Sequence, residues 1–221
     1  MTTQQEALKK SAAEAALSLL PYDDIIGVGT GSTVNYFIAA LAAIKGRIKG
    51  AVASSLETEK RLRAMGISVV DLNSVNTLPV YVDGADAFND VHYLIKGGGG
   101  AMTREKIVAT AAKQFICIVD ESKRSPLLNH CPVPIEVIPM ARGLVARTLI
   151  KLGAHSEYRV GFTTDNGNII LDAFQLDLTD PVALEAKLNN IAGVVDNGIF
   201  ANRTADQLLI GTPNGVQRIK L

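Results

Sequence analysis

Between Ile25 and Val119 short apolar runs alternate with segments of helical period, and that alternation narrows the fold more than any other feature of the chain. Ile25–Gly29, Ala51–Ser54, Ile67–Leu72, Pro79–Val82, Tyr93–Ile95 and Phe115–Val119 read as strands. The intervening segments read as helices. Val34, Phe37, Ile38, Leu41 and Ile44 make one apolar stripe, and Glu57–Met65 and Met102–Lys113 make two more helices. A further helix carries Leu8, Ala12, Ala15 and Leu19 ahead of the break at Pro21. Strands that are apolar on both faces and separated by helices predict a mostly parallel sheet covered on both sides.

The pattern changes near residue 130, where Pro132 and Pro134 mark a linker. Beyond it the order is strand (Ile135–Ile138), helix (Ala141–Leu152), strand (Tyr158–Thr163), strand (Ile169–Phe174), helix and strand (Val194–Phe200). Asp165-Asn166-Gly167-Asn168 signals a hairpin turn. Asp180 is placed to cap the second helix, with Pro181 at its first position and Leu184, Leu188 and Ile191 on its apolar face. This β-α-β-β-α-β order is that of a ferredoxin-like α+β unit. Leu208–Gly211 and Val216–Ile219 form a closing hairpin, expected to return to the first domain. The predicted domains are therefore 1–130 with 203–221, and 131–202.

Composition excludes several classes. Twenty-two Lys+Arg balance twenty-two Asp+Glu, which argues against a general nucleic-acid binder. No apolar run approaches the roughly 20 residues that span a bilayer. The polar start MTTQQEALKK lacks the apolar stretch of a secretory signal, so a cytoplasmic protein is expected. Cys117 and Cys131 do not make a disulfide framework, and no HxxxH, HExxH or CxxC occurs, so no metal site is expected.

Chemistry concentrates at the ends of the predicted strands. Gly27-Val28-Gly29-Thr30-Gly31-Ser32-Thr33 joins a strand to a helix. Glycines allow close backbone approach, and a helix N-terminus with hydroxyl donors suits a phosphate. A glycine-rich βα turn with a Ser/Thr cap also occurs with no ligand. The run lacks the lysine of a Walker A loop. Ser32 stands where the dinucleotide fingerprint needs glycine, and the second strand ends in Ser54-Ser55 rather than an acid, which weakens a nicotinamide-dependent dehydrogenase. Asp83 and Asp86, flanking Gly84 and Ala85, follow another strand; in open α/β sheets ligands bind at that end, although Asp-Gly is also an ordinary turn pair. Lys96 precedes Gly97, Gly98, Gly99 and Gly100, a run entropically expensive to order, and Glu105 falls in the first turn of the next helix. Lys123 closes Asp120-Glu121-Ser122-Lys123 at a fourth strand end, where it could meet an anion or simply be solvated. Carboxylates, lysines and backbone N–H groups without a Ser–His or Cys–His pair suit proton transfer beside a carbonyl in a phosphorylated small molecule.

Those motifs resemble ribose-5-phosphate isomerase type A. GVGTGST (27–33), SSLETEKRLRAMGI (54–67), YVDGAD (81–86), IKGGGGAMTREKI (95–107), DESK (120–123), PIEVIPMA (134–141), TDNGN (164–168) and IGTPNGV (210–216) run in that family's order through nearly the whole chain. The resemblance implies a Rossmann-like catalytic domain with helices on both faces of its sheet, plus the ferredoxin-like domain carrying oligomer contacts. It implies interconversion of ribose 5-phosphate and ribulose 5-phosphate in the non-oxidative pentose phosphate pathway, without metal or organic cofactor, by a homodimer or a dimer of dimers. By the same resemblance Glu105 is the proton-transferring base, and Asp83 and Asp86 are an acidic pair at the sugar hydroxyls. Lys96 steadies the enediolate. Thr30, Gly31, Ser32, Thr33, Asp83 to Asp86, Lys96 to Gly99 and Lys123 bind substrate. One departure stands out: the family usually carries Glu directly after DGAD, where this chain has Ala87. A sugar-phosphate sensor without catalysis is the rival of a different class. It would need an attached DNA-reading element or basic face, which the sequence lacks.

Overall fold

Alternate residues of the apolar runs point to opposite sides of a sheet, and the core follows that period of two. Ile26, Val28, Val80, Val82, Ile116 and Ile118 are buried in one apolar cluster with Ala12, Val34, Phe37, Ile38 and Leu41. Gly27 and Tyr81 face the other way. A Cβ at Gly27 would lie 2.7 Å from Tyr81 and 2.9 Å from Val108, so only glycine leaves room for both side chains. Tyr81 in turn packs on Phe115, ring centroids 5.2 Å apart.

The structure, a computed structural model, describes residues 3–221. Its helices are α1 (Thr3–Ala16), α2 (Ser32–Ala42), α3 (Leu56–Ala64), α4 (Met102–Ala111), α5 (Arg142–Lys151) and α6 (Pro181–Asn189). Its strands are β1 (Ile25–Val28), β2 (Gly50–Ala53), β3 (Leu78–Asp83), β4 (Ala87–Phe88), β5 (Leu94–Ile95), β6 (Ala112–Asp120) and β7 (Val133–Val137). The remaining strands are β8 (His155–Tyr158), β9 (Ile169–Phe174), β10 (Val194–Asn197), β11 (Ile199–Phe200), β12 (Gln207–Thr212) and β13 (Gly215–Lys220).

Two units emerge from the packing. Unit 1 comprises the chain up to Ala85 together with Arg104–Lys123 and Ala205–Leu221. Its sheet runs β2-β1-β3-β6-β12-β13. Every neighbouring pair is parallel except the closing hairpin β12–β13. Helices α1 and α2 cover the face bearing Ile26 and Val28, and Val108 of α4 lies on the face of Gly27 and Tyr81. The expected parallel, two-faced α/β sheet is thus present, and the C-terminal hairpin joins it. Sequential strands diverge to either side of β1, so the C-terminal ends of β1 and β3 flank the switch point where such sheets bind ligands.

Unit 2 comprises Asp86–Thr103 and Arg124–Thr204. Its antiparallel sheet runs β10-β7-β9-β8, with the first and third strands of the β-α-β-β-α-β unit in the middle. Asp180 caps α6 by accepting from Ala183 N–H at 3.1 Å, with Pro181 at the first position, and Leu188 is fully buried. A small antiparallel sheet β11-β5-β4 completes the unit. These units change over at Lys123/Arg124 and Thr204/Ala205, close to the expected 130 and 202, and differ from the expected division chiefly in the segment Asp86–Thr103. Asp86–Thr103 groups with unit 2 because β4 pairs with β5 and β5 pairs with β11, not with the parallel sheet.

Three predicted strands differ. Ile67–Leu72 contributes a single bridge, Ala51 to Val69. Gly66 enters it at φ +73° and the Asp71 carboxylate accepts from Asn73 N–H at 2.7 Å, turning the chain away. The strand read at Tyr158–Thr163 lies earlier, at His155–Tyr158, since Gly161 at φ +74° interrupts the later run. Val194–Phe200 breaks at Gly198, where a Cβ would strike the Lys96 carbonyl, and its halves join different sheets.

Candidate active site

The turn after β1 is built by side chains that follow β2. Thr30 Oγ1 lies 2.8 Å from the hydroxyls of both Ser54 and Ser55 and 3.2 Å from that of Thr58. The Thr58 hydroxyl donates to Gly29 O at 2.7 Å, and Ser55 caps α3 by accepting from Thr58 N–H at 3.0 Å. Hydroxyls thus fix the path of the chain into α2. Gly31 sits at φ +121°, a conformation that favours glycine, and serves as the α2 N-cap. Ser32 and Thr33 form the first turn of α2, Ser32 exposed and Thr33 half-buried. Their backbone N–H groups belong to the end of the helix that attracts anions.

Lys9 reaches this turn from α1. It is 2 % exposed, and its ammonium donates to Ser32 Oγ at 3.2 Å and to Glu6 at 3.3 Å. Glu6 also accepts from the Tyr36 hydroxyl, and this bond first, then Lys9, lowers its carboxyl below the usual range. Neither Glu6 nor Tyr36 was singled out by the sequence. Each falls in an ordinary helical pattern, and only the packing of α1 on α2 reveals that Glu6 joins Lys9 to Tyr36.

Asp83 ends β3 beside the turn and is completely buried. Its Oδ1 accepts from Thr30 N–H at 3.0 Å and from Gly84 N–H at 2.7 Å, and its Oδ2 accepts from the Tyr81 hydroxyl. Gly29 must be glycine, because a Cβ there would overlap the Asp83 carboxylate. Burial first, then the charges of Asp83 and Glu105, push the Tyr81 phenol well above its ordinary value. Tyr81 is therefore a neutral donor to Asp83. Its signal was present in YVDGAD, since residues two apart on a strand share a face. Glu105 is 4 % exposed in the first turn of α4. Asp120 accepts from Ser122 N–H at 3.1 Å, shaping the 3₁₀ turn that carries half-buried Lys123. Unit 1 thus brings the Thr30–Thr33 turn together with Asp83, and its own Tyr81 with the charges of Asp83 and Glu105.

In unit 2, half-buried Asp86 accepts from Gly98 N–H at 2.7 Å. Lys96 is 2 % exposed, its backbone N–H donates to Gly198 O at 2.9 Å, and its ammonium lies 5.5 Å from the Phe200 ring centroid. Gly97 takes φ +100° and Gly100 φ +78°; Gly98 and Gly99 are exposed. Ala87 is buried in the apolar cluster of unit 2, a place where a carboxylate would be costly. Among the described residues no group of three or more His, Cys, Asp or Glu is arranged to hold a metal ion.

A family model described as ribose 5-phosphate isomerase A (phosphoriboisomerase A) matches residues 50–215. The chain belongs to the ribose 5-phosphate isomerase A family. A ribose-5-phosphate isomerase A of Legionella pneumophila (strain Corby) is 61 % identical over 213 residues, 96 % of this chain and 99 % of the relative. Among solved structures, a ribose 5-phosphate isomerase A from Neisseria gonorrhoeae is 46 % identical with a TM-score of 0.97, covering 100 % of this chain and 99 % of that one. A D-ribose-5-phosphate isomerase in complex with phospho-erythronic acid is 40 % identical with a TM-score of 0.93, covering both chains completely. The shared architecture includes the mostly parallel sheet with flanking helices and the smaller antiparallel sheets.

Proposed function

We propose that this member of the isomerase family works through Glu105, Asp83 and Lys96. The activity is interconversion of ribose 5-phosphate and ribulose 5-phosphate. One observation carries the assignment of roles: a fully buried carboxylate, Asp83, sits at the β1/β3 switch point and is hydrogen-bonded to the first residue of an anion-binding turn. Such a turn offers N–H groups to a phosphate, and Lys9 and Lys123 add charge. Phosphate binding holds the sugar so that its binding energy assists chemistry at a remote carbon.

In this reading the reaction passes through a cis-enediol. The Glu105 carboxylate removes the proton from the carbon next to the carbonyl and returns it to the neighbouring carbon. Asp83 moves a proton between the two oxygens, its orientation fixed by Tyr81, Thr30 and Gly84. Asp86, with Gly84 and Ala85, contacts the sugar hydroxyls. Lys96 and glycine-loop N–H groups stabilise the developing negative oxygen, while the Gly98 N–H holds Asp86. No step calls on a metal or organic cofactor. We further place the enzyme in the cytoplasm as a homodimer or dimer of dimers with contacts through unit 2. The exposed apolar side chains of Met140, Leu144 and Ile150 support that choice of surface.

The test is direct. Protein mixed with ribose 5-phosphate and EDTA, with no cofactor added, should form the ketose. Glu105→Gln should bind substrate yet turn over roughly 10²–10⁴-fold more slowly, the range of a lost general acid–base group. Exchange of the substrate C–H proton with deuterated water should disappear in parallel. Exchange at the wild-type rate in Glu105→Gln would move the base elsewhere, with Asp83 the first suspect.

A further inference from the structure

Arg159 lies outside every motif that pointed to the family, yet its side chain grips the glycine loop. Its Nη1 donates to Gly97 O and to Gly98 O, 3.2 Å each. Its Nε donates to Asp172 Oδ2 at 2.8 Å and Nη2 donates to Asp172 Oδ1, a two-point pair that fixes the plane of the guanidinium. The two side chains are 20 % and 15 % exposed, so water screens this pair less than a surface one. The guanidinium also stacks on Phe162, 5.5 Å from the ring centroid. Phe162 in turn occupies the space beside Gly100, where any Cβ would collide with the ring. Asp172 is on β9 and Arg159 continues the pairing of β8, donating its N–H to Ile170 O at 3.0 Å, so the sheet itself holds the clamp.

The carbonyls gripped are those of the peptides whose other ends are the Gly98 and Gly99 N–H groups. A cation on a peptide oxygen withdraws charge from the nitrogen end, making that N–H a stronger donor and fixing its plane. The Gly98 N–H donates to Asp86. The Gly99 N–H belongs to the second gripped peptide. Four glycines in a row would otherwise sample many conformations.

We propose that Arg159, oriented by Asp172, is a positioning residue that sets the direction and donor strength of the glycine-loop N–H groups during isomerisation. The inference rests on the role given above to that loop, in which its N–H groups stabilise the enediolate oxygen. Arg159 itself touches no reacting atom in it.

The experiment compares wild type with Arg159→Met, Arg159→Lys and Asp172→Asn. It reads kcat and KM for ribose 5-phosphate, inhibition by inorganic phosphate, and amide hydrogen exchange of the segment containing Gly98 and Gly99. Arg159→Met keeps an apolar stem on Phe162 and removes the fork. Its kcat should fall on the order of 10- to 100-fold, the cost of misplacing a group by a fraction of an ångström to one ångström. Arg159→Lys should recover part of the loss, because an ammonium reaches one carbonyl but lacks the planar fork. Phosphate inhibition should hold to within about twofold in all variants, since that turn is built by other residues. Glycine-segment exchange should quicken in the order Lys, then Met. Unchanged kcat and unchanged exchange in Arg159→Met would overturn the proposal. So would a parallel loss of kcat, phosphate inhibition and thermal stability, which marks a merely structural arginine. If Arg159→Met does not fold, Arg159→Lys and Asp172→Asn are held to the same criteria. A wild type that fails to convert ribose 5-phosphate refutes the assigned function instead, and the exchange measurement alone then decides whether the clamp exists.

Discussion

Replacing Gly29 with alanine tests whether the reaction depends on the exact seat of Asp83. The backbone at Gly29 is open to any residue, because its φ is not positive. The obstacle is steric alone: a Cβ there overlaps the Asp83 carboxylate, whereas ordinary contact begins at 3.4 Å. Something must therefore move by about an ångström or more, and a displacement of that size can cost on the order of 100-fold in rate. The Asp83 carboxylate is the nearer candidate, and moving it strains bonds from Thr30 N–H, Gly84 N–H and the Tyr81 hydroxyl. Hydrogen bonds to a charged group contribute roughly 1.5–3 kcal/mol each. Losing one or two of the three predicts a stability loss of about 1.5–6 kcal/mol. Denaturant unfolding measures the second figure and steady-state kinetics with ribose 5-phosphate the first. Ser32 and Thr33 keep their hydroxyls, so inhibition by inorganic phosphate should hardly change. Gly31→Ala is the contrast, since nothing lies within 4 Å of its Cβ but its φ is +121°. It should strain the turn and raise KM more than it lowers kcat. A Gly29→Ala enzyme with wild-type kcat and stability would refute the claim that Asp83 works only from this seat.

Ser32→Ala combined with Thr33→Ala should mainly raise KM, through roughly 1.5–3 kcal/mol for each lost bond to a dianion, and should weaken inhibition by phosphate. Unchanged KM would remove the phosphate from this turn. Tyr81→Phe should destabilise the fold by about 1–3 kcal/mol, the cost of leaving Asp83 short of a donor. It should also alter the alkaline limb of stability. The phenol is held well above its usual value of about 10, so the native state keeps a proton that the unfolded chain releases from about pH 10 upward. Stability contributed by Tyr81 is thus complete below that pH and is lost as pH rises through the folded value. Urea midpoints across that window should fall less steeply in Tyr81→Phe than in wild type. Ser55→Ala removes the α3 cap and one of the hydroxyls on Thr30, and should cost roughly 0.5–2 kcal/mol in a thermal melt.

Much of the fold was legible because it rests on local period. The stripe Val34, Phe37, Ile38 and Leu41 is fully buried or nearly so, and the alternation around Ile26, Val80 and Ile116 gives the sheet its two faces. Failures occurred where a single backbone event overrides the pattern. Ile67–Leu72 has the apolar content of a strand but starts from a left-handed glycine and ends in an Asp71 turn. Val194–Phe200 reads as one strand, yet the missing Cβ of Gly198 lets the Lys96 carbonyl approach and the chain changes sheets there. Asp165–Asn168 does turn, closed by Gly167 N–H to Thr164 O at 2.9 Å, but the wider β8–β9 connection encloses it. Its amides are spent on Glu136: Asn168 Nδ2 donates at 2.8 Å and Asn166 Nδ2 at 3.1 Å.

The candidate site divides along the same line. Residues whose chemistry is announced by their neighbours, such as Thr30 to Thr33 after a strand or Lys96 before four glycines, could be picked from the sequence. Residues that make those groups effective could not. Ser54 and Thr58 meet Thr30 because β2 pairs with β1, and Thr30 meets Asp83 because β3 pairs with β1 on its other side. Strand order is decided by which faces and edges bury the most apolar surface, a property of the whole sheet that no window of residues contains. Arg159 meets the glycine loop, and Asp172 meets Arg159, only through the register of β8 on β9. The local motif therefore supplies the candidate groups, and the topology supplies the hydrogen bonds that hold them. That is why Tyr81, two residues from Asp83 on one strand, was the supporting residue nearest to being read without a structure.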